Sequence, residues 1–211
     1  MENIQTLLKK DRMDACLLGM ESLALVTDGC SSNPHIAREA SNAVIVDGVW
    51  QDVKTCIFGI VMDCNERHGA GAEEESESDV VLEERDAKLR LALTITGNAL
   101  AVAVACERKS QDRLGIDVDE MKDLMATLHM YMKEQEKGDE SLTLCNVQNV
   151  YQAARCVWLL IDLSQELKST AIGLGVLEVA NNYILGGMCR HQLLGSVSER
   201  IVSCLNEDVK R

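Results

Sequence analysis

A chain of 211 residues, 46% of them apolar, is long enough for one ordinary domain or a short solenoid and too apolar for global disorder. A single proline and 3% aromatic residues argue against a β-sandwich and leave Leu, Val, Ala, Met and Cys to fill closely packed helices. A net charge of −13 repels a phosphate backbone, which excludes nucleic acid as the default partner and favours a basic protein surface.

In chain order, a short helix is expected over 3–9 and a second over 11–27. The second carries Met13, Cys16, Leu17, Met20, Leu23 and Ala24 at three- and four-residue spacing, with Leu25 at the edge. Asn33 then caps a helix led by Pro34, where a missing N–H costs nothing; Ile36, Ala40, Ala43 and Val44 share its apolar side. The next helix runs over 50–66 through Val53, Ile57, Ile60 and Val61, with Trp50 at its start as a candidate surface anchor. Residues 68–82 break the pattern with four small residues and a run of acids, and read as a disordered acidic loop. Ser76 and Ser78 within it have acids on their C-terminal side and are candidate phosphorylation sites.

The longest helix is expected over 83–108, apolar nearly all round and therefore central. Its narrow polar stripe is Arg90, Thr94 and Asn98, four residues apart and so one above another. The apolar run 91–106 is shorter than the roughly 20 residues that span a bilayer, so no membrane span is expected. Asp117 and Glu120 suit a capping box for a helix over 118–137, which buries Met121, Leu124, Met125, Leu128 and Met132. Gly138 ends it, and Asn146 is placed to cap the next helix.

From 150 the chain reads YQAARCVWLLIDLSQELKSTAIGLGVLEVANNYIL. Three helices follow with almost no slack: 151–162, 165–172 and 176–185. Ser164 caps the second through its hydroxyl, and Gly173 and Gly175 form the joint before the third. The middle helix is too short to bury its own apolar side and needs a neighbour on each flank, which points to a stacked helical array. A last helix over 188–205 turns Leu193, Leu194, Val197, Ile201 and Leu205 inward.

Chemistry-bearing constellations do not emerge. The four histidines are scattered, Cys189 and His191 make only a two-ligand pair, and no zinc spacing occurs, so no metal is expected. Gly-Leu-Gly at 173–175 lacks the third glycine and the strand of a dinucleotide fingerprint, and no cofactor is expected. His191 and Ser198 are two helical turns apart, too far for a nucleophile and its base, so no enzyme activity is expected. Nine cysteines without a Cys-x-x-Cys pair, and a polar start at 1–10, suit an intracellular, cytoplasmic setting with free thiols.

Ala153, Ala154, Trp158 and Leu159, then 167–173, then Gly175-Val176-Leu177-Glu178, resemble an armadillo repeat: an Ala/Leu/Trp-rich third helix, a short first helix and a glycine-led second helix. The resemblance implies an all-α, right-handed superhelical solenoid of armadillo- or HEAT-like units over 1–211 as a single domain. Units of about 40–45 residues give about four of them. In such arrays the third helices line a concave groove for peptides or partner helices. The family's peptide-binding ladder of Trp and Asn is not repeated here: Asn98 matches the Asn, but Leu160 stands at that place in the later helix. What remains is a candidate groove of Arg90, Thr94, Asn98, Gln148, Gln152 and Arg155, binding a basic or amphipathic protein segment. The other function that resemblance allows is a regulatory factor acting on a chaperone or small-GTPase nucleotide cycle.

Overall fold

The computed structural model describes residues 13–28, 39–41, 44, 49–69, 79–108, 117–137, 144–185 and 191–206. These residues are helical throughout, apart from short joints, and no strand occurs among them. The all-α class therefore holds. The chain divides into two compact units, Met1–Gly115 and Ile116–Arg211.

The first unit is built from α1 (Met13–Thr27), α2 (Val49–Gly69) and α3 (Asp79–Arg108), with a further helical piece at 39–41 and 44. α3 packs against both α1 and α2. Met20, Leu23 and Ala24 come in from α1, and Val53, Ile57 and Val61, each four residues apart, from α2. They close on Leu89, Ala92, Leu93, Ile95, Ala99, Leu100 and Ala103 of α3, which confirms that helix as the central one. Its stretch Val81–Ala105 is long and apolar enough to cross a membrane by length and composition, longer than the run 91–106 read from sequence. Of its most apolar window, 61% is buried. Arg85 ties α3 to α2, donating to the Ile60 carbonyl at 3.3 Å and pairing with Asp63 at 2.9 Å.

Several local expectations shift here. Trp50 is buried, 6% exposed, and is a core residue rather than a surface anchor. Leu25 is 65% exposed and lies outside the buried stripe. Helix extends to Gly69 and resumes at Asp79, so the acidic segment between helices narrows to 70–78. That segment, with Ser76 and Ser78, lies outside the described residues, as do the expected helix at 3–9 and the Asn33–Pro34 cap.

The second unit comprises α4 (Val118–Lys137), α5 (Leu144–Leu163), α6 (Gln165–Leu174), α7 (Val176–Leu185) and α8 (Gln192–Asn206). α5 packs on α4, α6 and α8, and α7 fills the remaining side against α4, α6 and α8. The methionine stripe of α4 is wholly interior: Met121, Leu124, Met125, Leu128 and Met132 are all buried. Asp117 caps α4, its Oδ1 accepting from the Asp119 N–H at 2.9 Å. Lys122 then clamps α4 to α6, reaching Asp119 at 2.9 Å and Glu166 at 2.6 Å; the two carboxylates hold its ammonium above the usual lysine range. α5 begins two residues before Asn146, which puts Asn146 inside the first turn instead of at the cap.

The joints of α6 follow the sequence closely. Ser164 is extended, and its hydroxyl oxygen accepts from the Leu167 N–H at 3.2 Å. Replacing Ser164 by alanine is expected to lower stability by about 1 kcal/mol, read as a lower urea midpoint at unchanged slope. Gly175 ends the helix at φ 82°, in the left-handed region, with its N–H turned back to Ala171 and Ile172 carbonyls. Gly173, by contrast, lies inside α6, and a Cβ there meets nothing within 4 Å. Alanine at 175 is therefore expected to cost about 1 kcal/mol, and alanine at 173 to gain up to about 1 kcal/mol. Thermal melts of the two single variants, moving in opposite directions, check this.

Candidate interaction surface

The stripe on α3 divides once its side chains are placed. Arg90 and Thr94 are half-buried, and the Thr94 hydroxyl donates to the Arg90 carbonyl at 2.8 Å, a back-bond within its own helix. Asn98 is turned inward, only 8% exposed. Its amide donates to the Ala24 carbonyl and to Thr27 Oγ1, both at 3.3 Å, while the Thr27 hydroxyl donates to the Leu23 carbonyl at 2.9 Å. Asn98 thus adds a further donor to the C-terminal turn of α1, whose Ala24 carbonyl also accepts from the Asp28 N–H at 3.1 Å. Its chemistry is spent inside the unit.

The stripe on α5 is different. Val150, Ala153, Ala154, Cys156, Val157, Leu160 and Ile161 turn into the core. Gln148, Gln152 and Arg155, at i, i+4 and i+7, are half-buried together on the other side. Arg155 donates to the Gln152 side-chain oxygen at 3.4 Å, a long contact that aligns the two along the helix. Tyr151 and Trp158 flank this ladder and are also half-buried. Each aromatic meets α8 or its approach: Tyr151 lies 6.3 Å from the His191 ring, and the Arg200 guanidinium sits over the Trp158 ring at 4.9 Å. Trp158 is therefore not the core residue its place in the apolar run suggests. Arg200 is 42 positions away in sequence, and nothing local marks it as a partner.

His191 Nδ1 accepts from the Leu194 N–H at 3.4 Å, at the start of α8, and Ser198 is fully buried. Leu193, expected inward, is 56% exposed, at the edge of the buried side of α8.

A small cleft of about 100 Å³ opens between α4 and the α6–α7 joint. His129, Lys133 and Glu136 line it from α4, and Glu178 and Asn182 from α7, beside Gly175. Burial, with Lys133 nearby, pushes the His129 imidazole below its ordinary value, against an opposing pull from Glu178. Glu136 accepts from the Asn182 amide at 2.7 Å, and the Tyr183 hydroxyl donates to the Met132 carbonyl, so the cleft's floor is a lock between α4 and α7. Its volume admits a few waters at about 30 Å³ each, well short of the roughly 300 Å³ that encloses a metabolite. Among the described residues, no group of three or more His, Cys, Asp or Glu side chains is placed to hold a metal ion.

No protein-family profile, curated protein or solved structure matches the chain.

Proposed function

We propose that this chain is a non-catalytic protein-interaction module, a short armadillo-like array that receives an amphipathic segment of a protein partner along α5 and α8. The observation that carries the reading is the Gln148–Gln152–Arg155 ladder. These side chains stand half-exposed on a helix whose opposite side is the core of its unit. Amides and a guanidinium spaced by one turn offer hydrogen bonds to a backbone lying along the helix.

The order of elements supports it. Tyr151 faces His191 and Trp158 faces Arg200, so α5 and α8 run side by side in the same direction. The short α6 and the Gly175-led α7 lie between them in the chain. That order is the one expected of consecutive armadillo units: third helix, first helix, second helix, third helix. The acidic chain, at −13, favours encounter with a segment whose flanks are basic. An intracellular, cytoplasmic setting goes with this reading, and Cys56, Cys156 and Cys204, none of them in a disulfide, support it.

A library of random peptides displayed on phage, selected on the full chain, tests the proposal. Enriched peptides should lose affinity about tenfold when Gln152 and Arg155 are both changed to alanine, with the urea midpoint held. Peptides that bind the double variant as tightly as the parent chain would reject the α5 groove.

A further inference from the structure

Arg200 is exposed, and its guanidinium is parked on the Trp158 ring. A guanidinium stacked on an indole keeps its face on the ring and its N–H edge outward. That edge is the fork to which a carboxylate binds with both oxygens. Among the described residues no carboxylate takes that position on Arg200. Holding the fork in place before binding removes part of the entropy that a long side chain otherwise loses on making a contact.

The surroundings narrow the ligand. Arg155 lies three residues before Trp158 on the same side of α5 and adds positive potential there, even while it contacts Gln152. Asp162 lies four residues beyond Trp158 and adds the opposite sign, so a carboxylate is favoured on the Arg155 side of the ring. Leu193, 56% exposed, sits two turns before Arg200 on the same side of α8. Two turns span about 10.5 Å. An apolar contact and an anion contact thus lie one after the other along a single helix.

We propose that the Trp158–Arg200 pair is the seat for an Asp or Glu side chain of the partner segment, and that Leu193 receives an apolar residue about 10 Å from it. This rests on the interaction-module reading and adds a requirement on the partner's sequence. The net charge of the chain does not oppose it. Repulsion between distant charges is screened beyond about 8 Å at physiological ionic strength, whereas the carboxylate and Arg200 are in contact.

The same displayed library tests the seat. Peptides enriched on the full chain should share an acidic residue with an apolar residue three positions away if extended, or seven if helical. An enriched peptide, made synthetically, should bind Arg200→Gln about tenfold more weakly, and its own Glu→Gln form should show the same loss. The two changes combined should cost no more than either alone. Arg200→Lys, which keeps the charge and loses the fork, should fall between, and both variants should keep the parent urea midpoint. Enrichment of peptides that share no acidic residue, or binding indifferent to Arg200→Gln, would overturn the seat while leaving the module intact. Single-stranded DNA binding in an Arg200-dependent way would overturn it in favour of phosphate. No enrichment at all would remove both readings.

Discussion

Changing Leu160 to alanine is expected to lower the stability of the second unit by about 3 kcal/mol, the largest effect of a single truncation on α5. Leu160 is fully buried on a helix packed by α4, α6 and α8, so no single neighbour can move in to fill the space. The cost has two parts: the transfer energy of the deleted methyl and methylene groups, and the dispersion lost around the void. Gln152→Ala, one side of the helix away and half-exposed, should change stability by less than about 0.5 kcal/mol. Urea titrations followed by circular dichroism separate the two variants. A Leu160→Ala protein within 1 kcal/mol of the parent would mean that α5 is not the helix around which this unit packs.

That organising role was readable from the letters between Tyr151 and Leu185, and the reason is local. Ser164 and Gly175 fix the ends of α6 by hydrogen bonds and by backbone angle, and both depend on residues within four positions. Helix period placed Leu124, Leu128, Leu194, Val197 and Ile201 in the core for the same reason. Leu193 and Trp50 went the other way because period gives the apolar arc, not which edge of it a neighbour covers. The missed start of α5 is similar: Asn146 is a good cap by type, but the helix begins earlier, at Leu144.

The candidate surface was legible only in part. Gln148, Gln152 and Arg155 share one side of α5 by spacing alone, and the structure leaves that side half-covered. Arg90, Thr94 and Asn98 follow the same spacing, yet Asn98 closes the end of α1, 71 residues before it at Thr27. An asparagine that donates to a helix end and one that reads a partner's backbone look alike in sequence. Only the identity of the neighbour separates them. Arg200 over Trp158 was invisible for the complementary reason: a cation–π contact between two helices leaves no periodic trace.

Raising the pH from 7 to 10.5 is expected to cost the parent chain about 2 kcal/mol more than it costs a Cys156→Ala variant. Cys156 is fully buried on α5, and desolvation pushes its thiol from an ordinary 9.0 up to about 12, with the Arg155 charge pulling weakly the other way. The folded state thus favours the protonated thiol. A folded value above the unfolded one means stability present in full below pH 9 and lost as the pH climbs towards 12. Each pH unit in that window is worth about 1.4 kcal/mol. Tyr183, raised by burial and by Glu136, adds a loss of the same sign at higher pH, which both proteins share. Alanine at 156 removes the titration and leaves only a small void, felt equally at both pH values. Urea midpoints at the two pH values give four numbers, and their double difference isolates the thiol. Parallel losses in parent and variant would show that Cys156 keeps access to water in the folded chain. The alkylation rate at pH 8 gives the same answer by another route: Cys56 and Cys204, half-exposed, should react first, and Cys156 only through unfolding.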